Sequence, residues 1–316
     1  MSWLNYSIRR TLSSIFVLFG ASVVIFAIIR IIPGDPVALM LGETATPEQI
    51  ETVRRNMGLH LPIWEQYLIW LTDIFHLRLG ESLIFNKPIA ELIAVRYPRS
   101  LQLAIMTIVF STIIGVPLAI WGATNRNSSK DYLALFFSQF GVSVPSFWLG
   151  VLLILVFARW LNLLPPSGYI PFLEDPVANL ERAIMPVTAL TVINAAIITR
   201  YLRAEMLEKL NDDYVRTAHA YGIPRTKVLY RYVLKNALIP TVTVIGIQFG
   251  GIIGGVVIVE AVFSYPGIGQ LILDALLRRD YPVIQISLLT IAATFILVNL
   301  VVDLLYGYLD PRIRTE

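Results

Sequence analysis

Six stretches of this chain contain no Asp, Glu, Lys or Arg: residues 11–29, 100–124, 132–158, 183–199, 236–259 and 281–302. The shortest runs for 17 residues, and at ~1.5 Å per residue such windows are about the length that crosses ~30 Å of hydrocarbon as a helix. Lipid offers no hydrogen bonds to the backbone, so only helices and closed barrels can span it. A membrane strand would alternate apolar and polar residues over about ten positions; these windows are continuously apolar, which predicts an all-α integral membrane protein with six transmembrane helices. Only 15% of the 316 residues are charged and 56% are hydrophobic, whereas about 25% of a soluble domain is charged.

The first window follows Arg9 and Arg10, as a signal peptide would. Its apolar run exceeds the usual 7–15 residues, however, and it ends in Arg30-Ile-Ile-Pro-Gly-Asp-Pro36 without a small-residue cleavage site. It is expected to stay as a true span. The absence of cysteine excludes disulfides and thiolate metal sites. A net charge of +3 raises the question of nucleic acid, but the distribution points to a membrane. With both termini on one side, Arg9, Arg10, Arg126, Lys130, Arg203, Lys209, Arg216, Arg225, Lys227, Arg231, Lys235, Arg312 and Arg314 fall together. The short loops opposite, 161–182 and 264–280, hold Arg182, Arg278 and Arg279. Basic residues favour the cytoplasmic side, which predicts cytoplasmic termini.

Residues 31–99 read as an extracytoplasmic insert, too long for its charge to set topology. Within it, Pro47–Met57 shows helical spacing of Ile50, Val53 and Met57, with Gly58 to close the helix. A second helix is expected from Pro62, with Ile63, Tyr67, Trp70, Leu71, Ile74 and Phe75 on one face. The insert reads either as contact for an external delivery protein or as a cap on the bundle. Nothing repeats along the chain, so 1–316 reads as one polytopic domain. Pro117, Pro145 and Pro186 fall inside windows, where each kinks its helix or ends it. The fifth window carries Gly246, Gly250, Gly251, Gly254 and Gly255, a nearly bare face suited to close helix approach.

Charged and amide side chains in or beside spans are the candidates for a translocation path: Glu260, Asn194, Gln248 and Asn299, with Asp303 a weaker one. Interhelical hydrogen bonding is the alternative role for the amides. The three histidines, His60, His76 and His219, are too scattered for a metal site. No phosphate-cradling loop of the G-x-x-x-x-G-K-[ST] type, no G-x-S-x-G and no H-E-x-x-H occurs, so the sequence offers no catalytic centre and no nucleotide hydrolysis of its own.

Between the fourth and fifth windows, residues 203–236 form a patterned loop. Tyr214, Thr217, Ala218 and Tyr221 recur at i, i+3, i+4, i+7, which predicts a short helix with a compact face of two tyrosines and two small residues. Gly222 supplies a break or a positive φ, and Pro224 suits the start of the next helix. Seven basic residues outweigh Glu205, Glu208, Asp212 and Asp213. Helix, turn and helix, on a basic loop, suit the docking of a cytoplasmic partner.

At these residues the chain resembles the permease subunits of ATP-binding-cassette importers, whose loop carries Glu-Ala-Ala, three residues and Gly. Ala218 and Gly222 hold the third Ala and the Gly, while Arg216 and Thr217 depart from the first two positions and Lys235 stands where the general pattern has proline. The departures resemble the peptide branch, with Tyr-x-Arg-Thr-Ala-x-Ala-x-Gly from Tyr214 to Gly222. Further segments are similar: Ile32–Pro36, Gly141–Phe147, Asn236–Pro240, Val259–Phe263 with Tyr265–Gly269, Arg279–Gln285, Asn299–Asp303 and Asp310–Arg312. The resemblance implies a type I importer permease fold in a prokaryotic inner membrane. It also implies ATPase coupling through Tyr214, Arg216, Thr217, Ala218, Tyr221, Gly222 and Pro224, with ATP and Mg held by two partner ATPase subunits and no cofactor on this chain. A second related permease and an extracytoplasmic binding protein complete the implied set. Peptides are the implied cargo, with glutathione and nickel complexes as alternatives within the family. A non-transporting scaffold, a channel and a secondary transporter are the rival classes; the last would show embedded ionisable residues and inverted repeats.

Overall fold

The structure, a computed structural model, describes residues 3–31, 37, 46–56, 58–82 and 84–309. Ile32–Pro36, Met57 and Asp310–Arg312 lie outside the described residues. Helix α1 (Trp3–Ile31) is followed by two short helices, α2 (Pro47–Asn56) and α3 (Ile63–Phe75), and a small antiparallel hairpin of β1 (Glu81–Ser82) and β2 (Lys87–Pro88). The bundle continues with α4 (Ile89–Thr124), α5 (Ser129–Ser143), α6 (Ser146–Trp160), α7 (Pro176–Lys209), α8 (Asp213–Ala220), α9 (Arg225–Val262), α10 (Ile268–Leu277) and α11 (Tyr281–Leu309).

Five of these, α1, α4, α7, α9 and α11, are long and apolar enough to cross a membrane, and α5 and α6 meet the same test only together, as a sharply bent pair that gives six spans if it crosses as one. The bend is 97° and falls at Pro145. Proline bars its predecessor from the α region, and Val144 is extended, with φ −91° and ψ 121°. Of the three prolines read from the sequence, only this one ends a helix; Pro117 and Pro186 lie inside continuous helices. Ser128 caps α5 by accepting from the Asp131 amide, and Asp175 caps α7 by accepting from Ala178, with Pro176 in the first turn.

Most of the helices overrun their charge-free windows. Helix α4 starts at Ile89 rather than near residue 99, and the helix expected after Pro224 starts at Arg225 and runs on into the fifth window as the single helix α9. Charge marks where lipid ends, not where the backbone stops being helical, since side chains in water tolerate the continuing helix. In the insert, α2 and α3 form as the spacing predicts, and Gly58 closes α2 with φ +66°. The apolar face of α3 is narrower than expected. Tyr67 and Trp70 pack on Phe26 of α1, with ring centroids 5.2 and 5.5 Å away, whereas Ile63 and Phe75 stay exposed.

Helix α7 is the central element, packed on α4, α5 and α9. Three apolar clusters stack along the bundle. The middle one joins α4, α7 and α9 through Leu103, Leu190, Ile253 and Phe263. One end gathers Ile89, Leu271, Tyr281 and Val283 beneath α3 and the hairpin; the other gathers Ala119, Met206, Val215, Ala218 and Val233 around α8. These are called below the insert end and the loop end.

Candidate functional site

Helix α8 is seated by its inner side. Val215 and Ala218 are buried among Met206, Val228 and Val233, and Tyr214 is half-buried, with Asn236 Nδ2 donating to its hydroxyl at 3.5 Å. The compact face expected of Tyr214, Thr217, Ala218 and Tyr221 is therefore divided: Ala218 turns inward, while Arg216, Thr217 and Tyr221 are exposed, Tyr221 at 82%. The missed inward residue is Val215. It lies three positions before Ala218, which was the available signal.

The helix ends as Gly222 permits. Its φ of +73° is the left-handed conformation that costs a side chain most. The Gly222 amide donates to His219 O at 2.9 Å, and the Ile223 amide to Ala218 O at 3.1 Å, the paired bonds of a Schellman ending. Ile223 then folds back into the cluster that holds Ala218. Pro224 sits just before Arg225 as the next helix begins, and that helix widens to a π-helical stretch over Val228–Val233, where Val228 and Val233 are buried.

Above this seat lies an anchor that counting loop charges missed. Arg203 of α7 donates through Nε and Nη2 to the two oxygens of Asp131 on α5, at 2.6 and 2.7 Å. The Asn127 amide donates to the same carboxylate at 3.0 Å. Asp131 is enclosed, and the Arg203 side chain is 16% exposed. A side chain at Gly122 of α4 would press on Arg203 Cδ at 3.2 Å, so the glycine makes room for the pair. Arg203 is thus a fixed bracket between spans and not part of the loop's solvated charge.

The path candidates separate. Gln248 of α9 donates through Nε2 to Asn194 Oδ1 of α7 at 3.1 Å, and Asn194 Nδ2 donates to Leu190 O at 2.7 Å. These two meet between the central helices. Asn299 does not join them: it faces Gly250, whose Cβ would stand 3.8 Å from Asn299 Oδ1, and positions 248 and 250 lie about 200° apart around α9. Glu260 lies at the insert end, fully buried. Its carboxylate accepts from the Ser100 hydroxyl, from the Gly269 amide at 2.8 Å and from the Gln270 amide at 3.1 Å. The Ser100 oxygen in turn accepts from the Ile268 amide at 2.8 Å. Glu260 and Ser100 together cap the N-terminus of α10. At the loop end Asp303 pairs with Arg10 at 3.2 Å.

The glycines of α9 do two things. A Cβ at Gly246 would come within 2.0 Å of Val302, and one at Gly250 within 3.0 Å of Phe295, so these two admit α11. Gly251, Gly254 and Gly255 are exposed, and nothing lies within 4 Å of where their Cβ would be.

Two family models match the chain. Residues 3–104 match the N-terminal membrane component of binding-protein-dependent transport systems, and residues 115–315 match the binding-protein-dependent transport system inner membrane component. The second match alone covers more than half of the chain. The chain belongs to this permease family. Among relatives, the dipeptide transport system permease protein DppB of Alkalihalophilus pseudofirmus is 42% identical, covering 98% of this chain and 99% of that one. DppB of Escherichia coli K12 is 37% identical with the same coverage. A putative peptide transport system permease protein of Brucella abortus is 36% identical, covering 98% of each chain. A solved amino acid ABC transporter with histidines shares the fold, with a TM-score of 0.51 at 15% identity over 71% of this chain and 94% of that one. The permease is accordingly a multi-pass transport subunit, and its Ala218 and Gly222 stand on and just beyond a short helix seated against the loop end of the bundle.

Proposed function

We propose that this permease imports short peptides into the cytoplasm, with energy delivered by separate ATPase subunits that seat against α8. The observation that carries the docking reading is the division of α8: its inner residues are locked into the bundle, while Arg216, Thr217 and Tyr221 are presented outward. A helix held rigidly on one side and bare on the other moves its neighbours when it is pushed. Helix α7 leads into α8 and also holds α5 through Arg203, and α9 leaves α8 directly. A displacement of α8 therefore reaches three spans, and a two-state change in their packing would switch access between the two sides. Cytoplasmic termini follow from the basic loop end. Peptide cargo rests on the full-length likeness to peptide permeases. A second related permease, an extracytoplasmic binding protein, and ATP with Mg in the ATPases complete the proposed assembly. Asn194 and Gln248 are the proposed path residues, and Glu260 is proposed as a frame residue.

The test is reconstitution in vesicles with candidate ATPase subunits and binding protein, following labelled dipeptide uptake and ATPase retention. Gly222→Pro is expected to abolish uptake and release the ATPases. Tyr221→Ala should lower both while the bundle stays intact by gel filtration. Undiminished uptake and retention in both variants would sink the coupling assignment, and absence of ATP-driven dipeptide uptake by the unmodified assembly would sink the cargo.

A further inference from the structure

At the insert end, a cavity of about 420 Å³ opens between the insert and the start of α11, within the ~300–1,000 Å³ range of small-molecule pockets. Its chemistry is uneven for a structural gap. Among the described residues, Arg30, Arg55 and Arg78 line it with one carboxylate, Asp73, and with His60. Arg30 is held in place: its guanidinium stacks on the Phe26 ring at 3.4 Å, Nε donates to Gln66 at 3.0 Å and Nη1 to Phe26 O at 3.2 Å. A guanidinium has five N–H donors, so among the described residues Arg30 keeps donors beyond those two bonds. Arg55 pairs through Nε with Glu51 at 3.0 Å, and Arg78 through Nε with Asp73 at 3.4 Å.

The deciding group is Gln285. It lies in the first turns of α11, is 6% exposed and lines the same cavity. Its side-chain Nε2 is buried without a hydrogen-bond partner among the described residues. A buried amide donor left unmade costs about 1–3 kcal/mol, so such groups normally have an acceptor. Gln285 lines the cavity together with Arg30, Arg55 and Arg78, guanidinium groups that suit a carboxylate as the missing acceptor, and Asp73, paired with Arg78 at 3.4 Å, puts the opposite charge in the same lining.

We propose that this cavity is a holding site for a short zwitterionic peptide outside the membrane, in which Gln285 and the arginines receive the C-terminal carboxylate and Asp73 faces the amino terminus. The proposal rests on the peptide-importer reading and adds a station before the transmembrane path. A ligand there would touch both the insert and the head of α11, and so would register arrival at the bundle.

The unmodified chain in lipid nanodiscs is titrated with dialanine, with its C-terminal amide and with its N-acetyl form. Dialanine should bind, the amide should bind at least tenfold more weakly, and the N-acetyl form should lose less. Gln285→Glu keeps the side-chain volume but removes the donor and adds a repelling charge; it should weaken dialanine at least tenfold and weaken the amide less. Arg55→Gln, at an exposed position, gives a second reading that does not depend on folding of the core and should weaken dialanine several-fold. No binding of dialanine, equal binding of dialanine and its amide, or unchanged binding in both variants would overturn the site. Vesicle uptake separates this from the cargo reading: ATP-driven dipeptide uptake that persists without binding in the cavity removes only the holding site, whereas no uptake at all removes the importer reading beneath it.

Discussion

The two ends of the bundle both bury a carboxylate, and they satisfy it in different ways. At the loop end, Asp131 meets a side chain of opposite charge, Arg203, carried on another span. At the insert end, Glu260 meets no cation at hydrogen-bonding range among the described residues; two backbone amides and the Ser100 hydroxyl receive it. A charge near the membrane is by default a candidate for function, and here both carboxylates are held by fixed partners. The difference lies in what removal leaves behind. Losing one member of the ion pair strands a buried charge, while losing Glu260 strands neutral donors.

That contrast orders the variants. Arg203→Met should be the most damaging, by about 3–5 kcal/mol, because Asp131 is left charged and enclosed. The double variant with Asp131→Leu should recover most of the loss, as neither charge then remains. Thermal unfolding in detergent, followed by tryptophan fluorescence, reads both. A double variant no better than the single would break the comparison at its stronger end. Glu260→Ala should cost less, on the order of 2–3 kcal/mol, by uncapping α10, and Glu260→Gln less again, since an amide oxygen still accepts. If Glu260→Gln proved as harmful as Arg203→Met, the carboxylate would be acting through its charge and not as a cap. The smallest effects belong to α9. Gly246→Ala should destabilise by about 1–2 kcal/mol, because Val302 occupies the space. Gly255→Ala should stay within about 0.5 kcal/mol in the isolated chain, and a larger loss would show that the bare glycine stretch already has a partner within this chain.

The parts of this architecture that depend on neighbouring residues were readable from sequence. Lipid forces helices on the charge-free windows, Pro145 sets the break through Val144, and Gly222 sets the turn through its own φ. The insert helices were readable because their periodicity and their Gly58 and Pro62 boundaries are local. The frame was not. Asp131 finds Arg203 at a separation of 72 positions and Glu260 finds Ser100 at 160, and no periodicity encodes such meetings. The face of α8 was misjudged because spacing names the residues that share a side but not which side is covered. Val215 settled that only once α7 and α9 were in place. Asn194 and Gln248 were singled out separately, and the structure supplied their contact; Asn299 it assigned to the other side of α9.

Helix α1 has its main neighbour in α11, far along the chain. Tyr6 donates to the Asp303 carbonyl across a separation of 297 positions, Arg10 pairs with the Asp303 carboxylate, and Gly307 leaves room for the Tyr6 ring, which a Cβ there would meet at 2.6 Å. During synthesis, α1 enters the bilayer long before α11 exists. Until then it has α3 on Phe26 but no partner from α11 along its loop-end half, and Arg10 lacks its eventual counter-ion. Closure of the bundle is thus one of the last events of biogenesis, and a nascent permease halted before α11 would expose an unlatched first span to membrane quality control.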